Sequence, residues 1–591
     1  MNSVRYQLDI IDIAAHLVSV TLSFEPTDET HLLTLPAWIP GSYMIRDFAR
    51  NIVSIEASDS SGILNLMQQD KQSWQLCCNN ERVTVVYQLY AYDLSVRAAY
   101  IDDEVAILNP ACLCLAVSAQ HELPHQLHVN KPQAEAAINW RLATGLHRSS
   151  DTEFLGFGCY TAQSYQQLID GPVLLGRFDW RQFTINGITH YLIVTGDNQT
   201  DLTRFAEDLQ RICQQQLAVF GALPDDLSSY WFLLWVTEDG YGGLEHLNST
   251  LLLCSRFDLP VPHLPTINDS YQNLLALCSH EYFHTWWVKR LKPVAFQQYT
   301  LSNEQYTRQL WLYEGFTSYF DDLALVKSGL IDDKTYVKTL EKVISRVTRN
   351  PSDNAQSLTD SSFNAWTKFY KQDENAVNAI ASYYAKGSLL ALCLDAALRQ
   401  RGSTLQYVVS ALWRRYLASG TPDDALMQLL NELGFSDLAA KCQRWLDDAA
   451  PLPLAEYLPA LGLELTLRPM QYADDLGGDT DNTNQLFIGA LTKQQQGLLQ
   501  LTHVYHNDAA HQAGLMVGDI LLALDGRRIT SANFTQLLQR YASNNSTVKI
   551  DFFRKDRLLQ CMLTLQGSKR EVAVLRISDQ SLCSNWLTNQ P

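Results

Sequence analysis

The chain has 591 residues, a mass of 66.9 kDa and a formal net charge of −18 at pH 7. This length predicts several domains, and the acidic balance disfavours nucleic acid and anionic membranes as partners. No apolar run reaches the roughly 20 residues that a membrane-spanning helix needs, so we expect no membrane span.

The amino terminus and the cysteines indicate the cellular compartment of the protein. Residues 1–10 alternate like a strand and lack the basic start and apolar stretch of a signal peptide. The twelve cysteines are scattered, mostly in apolar contexts, and no CxxC pair occurs. Such cysteines are typical of small buried hydrophobic residues in a reducing environment. We therefore expect a cytoplasmic protein.

Residues 1–165 are predicted to form a β-rich amino-terminal domain. Alternating segments such as 17–22 and 83–89 are separated by turn residues, which is typical of short strands. The loop at 36–43 contains two prolines, a glycine and aromatic residues. It is either a hairpin corner or a surface that faces a functional site.

Residues 166–455 are predicted to form a second domain, which is mixed α/β at first and then mainly helical. The apolar periodicity predicts these helices and strands. The expected helices cover 201–217, 336–347, 388–399 and 425–432, the expected strands cover 231–236 and 250–254, and a Gly-rich loop is expected at 239–243.

The sequence HEYFH contains the strongest chemical signal of the chain. His280 and His284 are four residues apart, so on a helix both imidazoles can reach one metal ion. Glu281 lies beside them, where a carboxylate can take a proton from water. Glu314 follows thirty residues after His284 and can supply a third ligand. These residues predict one hydrolytic zinc site.

The alternative is an amphipathic helix with two surface histidines. The local pattern argues against this alternative, because the two motif residues Glu281 and His284 continue an apolar helical face. The other members of that face are Leu274, Leu277 and Cys278. Burying a carboxylate and imidazoles is costly unless something pairs them, and a metal ion would do so.

Residues 456–484 are predicted to be a linker and residues 571–591 a carboxy-terminal tail. An acidic run at 474–481 lacks the spaced ligands of a calcium loop. Between them, residues 485–570 contain AGLMVGDILLALDG at 513–526, which resembles the core motif of PDZ domains. That resemblance implies a module that captures an extended peptide or a carboxy terminus as an added strand.

Three motifs resemble those of the gluzincin peptidases. The residues around Glu314, LYEGFTSYF, resemble the second zinc-ligand motif of that group, and YGGLEH resembles its aminopeptidase signature. The resemblance implies that Glu245 binds the free α-amine of a substrate, while the backbone of Gly242 and Gly243 pairs with the peptide. YAKG resembles a further motif, in which Tyr384 would stabilise the tetrahedral oxyanion.

The order of these motifs resembles the glycyl aminopeptidase family, number sixty-one of the metallopeptidases, over nearly the whole chain. The resemblance implies a multidomain α+β protein with a β-rich amino-terminal domain, a thermolysin-like zinc-peptidase domain and a terminal PDZ domain. It implies a zinc aminopeptidase that removes small first residues, Gly and secondarily Ala, from peptides with a free amino terminus. One departure is Trp287, where relatives often carry Asn, and it bears on fine specificity.

Two alternatives stay open at this point. The protein could be a zinc endopeptidase to which the PDZ module presents segments, or a peptide-binding scaffold with a relic zinc site. Glu245 favours an exopeptidase, since an amine anchor requires a free amino terminus. The intact Glu281 speaks against a relic, because a decayed site would lose its base.

Overall fold

The computed structural model describes residues 3–79, 81–471, 475–478, 486–495, 497–567 and 569–588. Of the predicted acidic run, residues 474 and 479–481 lie outside this part. The chain divides into two compact units, Met1–Gln305 with Trp413–Thr421 and Tyr306–Leu412 with Pro422–Pro591.

The first unit is rich in strands, as the sequence predicts for its amino-terminal part. Its helices are α1 (Pro110–Leu113), α2 (Tyr165–Ile169), α3 (Leu202–Phe220) and α4 (Asp269–Phe283). Its strands are β1 (Val4–Asp12), β2 (Leu17–Phe24), β3 (Thr30–Thr34), β4 (Ile52–Asp59), β5 (Gly62–Ile63), β6 (Leu66–Gln68), β7 (Ser73–Cys77), β8 (Val83–Tyr90), β9 (Tyr100–Ile101), β10 (Val105–Leu108), β11 (Ala116–Val117), β12 (His125–Val129), β13 (Arg141–Thr144), β14 (His147–Arg148), β15 (Gly158–Ala162), β16 (Val173–Gly176), β17 (Phe178–Ile185), β18 (Ile188–Thr195), β19 (Ser229–Thr237), β20 (Tyr241–Glu245) and β21 (Ser249–Ser255).

The strands β1–β16 form an eight-stranded and two four-stranded sheets over one apolar core. The eight-stranded sheet has the order β14-β15-β12-β1-β2-β8-β4-β5. In β8 the side chains of Val83, Val85, Tyr87 and Leu89 are buried and the intervening ones are more exposed, which is the alternation of a strand with one face on the core. This alternation is the signal that predicted the β-rich region.

A mixed five-stranded sheet carries the next part of the first unit, in the order β17-β18-β19-β21-β20. The strands β18, β19 and β21 are parallel, and β20 pairs antiparallel with β21 at the edge. The predicted Gly-rich loop at 239–243 is therefore wrong over Tyr241–Gly243, which belong to β20. Glycine weakens a strand by itself, but here the ladder to β21 holds the segment extended.

The predicted helix at 201–217 is confirmed as α3. Asp201 accepts a hydrogen bond from the backbone of Arg204 and so caps its first turn, and Gly221 ends it with φ of 86°. The expected apolar face is buried and consists of Leu202, Phe205, Leu209 and Ile212. The helix packs on the five-stranded sheet and on α4.

From residue 306 onward the chain is helical first and then β-rich. The helices are α5 (Phe316–Lys327), α6 (Asp333–Arg349), α7 (Leu358–Phe363), α8 (Ala376–Ala379), α9 (Ala385–Arg399), α10 (Leu405–Tyr416), α11 (Ala425–Glu432), α12 (Ser436–Asp447), α13 (Leu454–Tyr457), α14 (Ala509–Gln512), α15 (Phe534–Tyr541) and α16 (Gln580–Thr588). The strands are β22 (Leu463–Pro469), β23 (Leu486–Phe487), β24 (Ala490–Gln495), β25 (Leu498–Val504), β26 (Ile520–Leu524), β27 (Arg527–Arg528), β28 (Thr547–Arg554), β29 (Arg557–Thr564), β30 (Gln566–Gly567) and β31 (Arg570–Ile577).

Two expectations about the carboxy-terminal part need correction. The expected linker 456–484 contains β22, and the expected tail 571–591 contains most of β31 and all of α16. The strands β22 and β31 pair antiparallel over seven positions, so segments about 100 residues apart form one ribbon. The ribbon packs on α6, where the Glu341 carboxylate accepts a hydrogen bond from the backbone of Leu575. Sequence periodicity does not reveal such long-range pairing.

Residues 486–567 contain an antiparallel sheet with the order β24-β25-β26-β28-β29 and a separate apolar core. All twelve cysteines of the chain are free thiols. Within the described residues, no helix combines the length and the apolar character that crossing a bilayer requires.

Candidate active site

The helix α4 positions the HExxH residues. Its first turn is capped by Asn268, whose side chain accepts a hydrogen bond from the backbone of Tyr271. The predicted apolar face is buried, and so are Glu281 and His284, whereas His280 is half-buried. The surface-helix alternative is therefore wrong for this segment.

The ring of His284 has a defined orientation. Its Nδ1 lies 3.0 Å from the carbonyl oxygen of Trp287. A ring nitrogen that donates to a carbonyl must carry the proton, so Nε2 then carries the lone pair. Trp287 itself is fully buried against Phe220 and Phe283. Its contribution here is the carbonyl that orients His284.

His280, His284 and Glu314 form a candidate metal site. Their ligand atoms all lie within 4.8 Å of one another. Two imidazoles and one carboxylate are the donor set of hydrolytic zinc sites that keep a fourth position open. The residues present therefore fit one zinc ion.

Glu314 lies in a π-helical turn, Trp311–Gly315, that runs directly into α5. Such turns occur mostly as single insertions inside α-helices, and they are frequent at functional sites. A Cβ at Gly315 would lie only 2.6 Å from the Cα of Gly387 in α9. Both segments therefore need glycine where they cross. The glycines of the EGF and YAKG motifs thus allow the Glu314 turn and the start of α9 to touch.

Tyr384 lies at the amino-terminal end of α9. Its hydroxyl is 3.1 Å from the hydroxyl of Tyr370. Burial, followed by the negative charge of Glu314, raises the pKa of Tyr384 well above its usual value. The phenol is therefore held in the protonated form, which can donate a hydrogen bond.

Glu281 is 5% exposed, and its Oε2 has no hydrogen-bond partner among the described residues. Burial and then the charge of Glu245 raise the pKa of Glu281 to about 7, while His280 and His284 act in the opposite direction. Gly243 lies against this carboxylate, and a Cβ at position 243 would collide with it. An unpaired buried carboxylate oxygen is costly, so a polar ligand that pairs with it is favoured at this place.

Glu245 is the last residue of β20 and is also 5% exposed. Its Oε1 has no hydrogen-bond partner among the described residues. Gly41, with φ of 93°, lies against it, and a Cβ there would be 2.6 Å from Oε1. The loop at 36–43 therefore contacts Glu245, and only glycine allows that approach.

The segment after Glu245 is fixed by Asp170. The Asp170 carboxylate accepts hydrogen bonds from the backbone of Leu247 at 2.7 Å and from Lys289 at 2.7 Å, and lies 3.2 Å from His246 Nδ1. Burial alone would raise the pKa of Asp170, but the Lys289 ammonium and His246 outweigh it and hold that pKa well below its usual range.

Sequence reasoning missed three residues of this region, namely Arg97, Asp170 and Lys289. Arg97 donates to the carbonyl oxygen of Gly243 at 2.9 Å, and its charge lowers the pKa of Glu281. No local pattern marks Arg97 or Asp170, because their partners lie 146 and 77 residues away. Lys289 lies five residues after His284, and no local pattern distinguishes it from the neighbouring basic residues.

A cavity of about 450 Å³ opens beside Glu245. Val288 and Lys289 line it from the segment after α4, and Gly41 and Tyr43 line it from the loop at 36–43. Glu281 and the two histidines do not line it. Glu245 therefore stands at the boundary between the HExxH residues and this cavity.

Comparisons with known proteins agree with these features. A family model for the peptidase M61 amino-terminal domain matches residues 5–177, and a model for M61 glycyl aminopeptidase matches residues 273–390. The chain is similar to the crystal structure of an aminopeptidase N family protein from Idiomarina loihiensis, with 41% identity, a TM-score of 0.95 and coverage of 99% of this chain and 100% of the other.

An M1 zinc metallopeptidase from Deinococcus radiodurans is a more distant structural neighbour, with 13% identity and a TM-score of 0.49 over 76% of this chain and 95% of that chain. None of the curated proteins compared with the chain matches it. The matched models and the Idiomarina protein define a metallopeptidase. The chain belongs to the aminopeptidase N family of which the Idiomarina protein is a member, and it contains two regions that match the M61 peptidase models.

Proposed function

We propose that the protein is a zinc-dependent aminopeptidase that removes small first residues, Gly and secondarily Ala, from peptides. The observation that carries this proposal is the pair of buried carboxylates without partners, Glu281 Oε2 and Glu245 Oε1. One lies beside the metal-binding histidines and the other at the end of an edge strand. A water molecule on the first and a substrate ammonium on the second would satisfy both.

One zinc ion on His280, His284 and Glu314 would supply a Lewis acid that acidifies water and polarises the scissile carbonyl. Glu281 takes a proton from water and later delivers it to the leaving amine. Its raised pKa makes it a weak enough acid to hold that proton between the two transfers.

Glu245 binds the α-ammonium of the substrate and sets its distance from the reacting centre. The backbone of Gly242 and Gly243 in the edge strand β20 pairs with the extended peptide, because one side of that strand has no partner strand in the described sheet. Tyr384 donates a hydrogen bond to the oxyanion of the tetrahedral intermediate.

The test is hydrolysis of aminoacyl reporters by zinc-loaded protein. Gly and Ala reporters are expected to turn over faster than Leu and Arg reporters. The N-acetylated forms are expected to be inert, since acetylation removes the cation that Glu245 binds. Strong preference for Leu or Arg contradicts the small-residue proposal, and equal cleavage of acetylated peptides favours the endopeptidase alternative.

We propose further that residues 485–570 are a PDZ module. Its support is the AGLMVGD motif, a separate apolar core, the edge strand β24 and the amphipathic helix α15. An edge strand can accept an extended peptide as an additional strand. Fluorescence polarisation of labelled carboxy-terminal hexapeptides with the full chain tests this, and the absence of saturable binding for a diverse set contradicts it.

A further inference from the structure

Within the part of the chain that the structure describes, the charged side chains that line the cavity beside Glu245 form ion pairs, except for one carboxylate and one ammonium. Three of these side chains are acidic and two are basic: Asp170, Asp226, Glu245, Lys289 and Lys292. Lys289 is 2.7 Å from Asp170, and Asp226 forms a two-pronged ion pair with Arg290 at 2.8 and 3.0 Å. The Glu245 carboxylate and the Lys292 ammonium form no ion pair among the described residues.

Lys292 differs from Lys289 because its ammonium has no ion pair and no hydrogen bond among the described residues. The side chain is half-buried, so water reaches it only in part. Burial, followed by the like charge of Lys289, lowers its pKa, while the Asp170 carboxylate acts in the opposite direction. A cation that is partly desolvated and repelled by a neighbour gains the most from an incoming anion.

We propose that this cavity is the subsite for the first side chain of the substrate and that Lys292 there binds a carboxylate. The proposal deepens the proposed function and rests on it, because Glu245 must hold the α-ammonium. The substrate class that it adds is peptides with an acidic first residue, glutamate in particular. A glycyl substrate binds through its α-ammonium at Glu245 and leaves the cavity unfilled.

The size and walls of the cavity agree with a longer side chain. Its volume of about 450 Å³ lies within the range of small-molecule sites. Tyr43, Phe296 and Tyr299 provide walls for an aliphatic stem, and Lys292 also lines the cavity. With Asp226 paired to Arg290, Asp170 paired to Lys289 and a substrate ammonium on Glu245, Lys292 is the one charged lining residue left without an ion pair in the described part of the chain, and an acidic side chain pairs with it whereas a glutamine does not.

The experiment compares Glu with Gln, which has nearly the same shape without the charge. In zinc-loaded protein, kcat/KM for the Glu reporter is expected to exceed that for the Gln reporter about tenfold, the size of one charge-assisted hydrogen bond. The Lys292→Met variant is expected to bring this ratio to about one. A ratio cancels losses of folded protein, so it remains interpretable if the variant is less stable.

Lys131→Met is the matched control, because Lys131 is exposed and lies outside the cavity lining. It is expected to keep the tenfold ratio. Calorimetric titration of the same proteins with free glutamate and glutamine gives a second comparison that needs no turnover. Tighter binding of glutamate to the unaltered chain, lost in Lys292→Met, supports the proposal.

Two failures are distinguishable. If Gly and Ala reporters turn over but the Glu to Gln ratio is near one and glutamate binds no better than glutamine, the subsite proposal is overturned and the aminopeptidase proposal stands. If glutamate binds through Lys292 but no free-amine reporter is cleaved, the anion subsite stands and the aminopeptidase proposal fails. A ratio that survives Lys292→Met also overturns the assignment to Lys292.

Discussion

Gly243 lies against the carboxylate of Glu281, and position 243 has no room for a Cβ. The edge strand β20 and the helix α4 therefore approach each other as closely as backbone and side chain allow. Because Gly243 also accepts a hydrogen bond from Arg97, the strand cannot retreat without breaking that bond. The proposed base is thus positioned by a residue 38 positions earlier in the chain.

We expect Gly243→Ala to lower kcat/KM on the order of 100-fold, because the new methyl group displaces the Glu281 carboxylate by about an ångström. Gly242→Ala is the matched variant, since a Cβ there meets only ordinary contacts at 3.5 Å or more. It should lose much less activity and melt at the same temperature as the unaltered chain. Equal losses in both variants would show that the strand backbone, and not the clash, is responsible.

We expect Glu281→Gln to lower kcat by at least 100-fold, the usual contribution of a general base, while the metal content stays at one zinc per chain. Metal analysis of the purified variant beside steady-state kinetics checks both parts. Removing zinc with a chelator should abolish turnover of the unaltered chain, and added zinc should restore it. Unchanged turnover in Glu281→Gln would overturn the proposed role of this carboxylate.

We expect Tyr384→Phe to lower kcat by about 100- to 1,000-fold with little change in KM, the pattern of a lost oxyanion donor. Tyr370→Phe removes only the hydroxyl that contacts Tyr384 and should cost far less. The comparison is made with one Gly reporter at saturating and at low concentration. A loss confined to KM would place Tyr384 in substrate binding instead.

The ion pair of Asp170 and Lys289 should make the free energy of unfolding depend on pH in the acidic range. Because the folded-state pKa of Asp170 is depressed below 3.8, its contribution to the free energy of unfolding is fully present above about pH 4 and is lost as pH falls toward the folded-state pKa. In Asp170→Asn the Lys289 ammonium stays buried without its partner, which costs about 3–5 kcal/mol at neutral pH.

The measurement is the thermal midpoint between pH 3 and pH 7. Asp170→Asn should melt lower at pH 7 and show a smaller decline toward pH 3 than the unaltered chain. The double variant with Lys289→Met should recover part of the loss at pH 7, because no buried charge is left without a partner. Parallel pH profiles for all three proteins would contradict the assignment.

The sequence by itself determined the local parts of this protein. Spacing on one helical turn placed His280, Glu281 and His284 together, since a helix repeats every 3.6 residues wherever it lies. Alternation predicted β8, and apolar periodicity predicted α3. The roles proposed for Glu245 and Tyr384 come from motif resemblance and await the experiments above.

Only the tertiary structure decided which distant residues meet. Three contacts join segments that are 77 to 204 positions apart. Gly41 lies against Glu245, Arg97 donates to the carbonyl of Gly243, and Asp170 accepts a hydrogen bond from the backbone of Leu247. Likewise, the expected linker and tail became the paired strands β22 and β31. Such contacts depend on how sheets and helices pack, and packing energy is spread over many residues, so no short stretch of sequence records it.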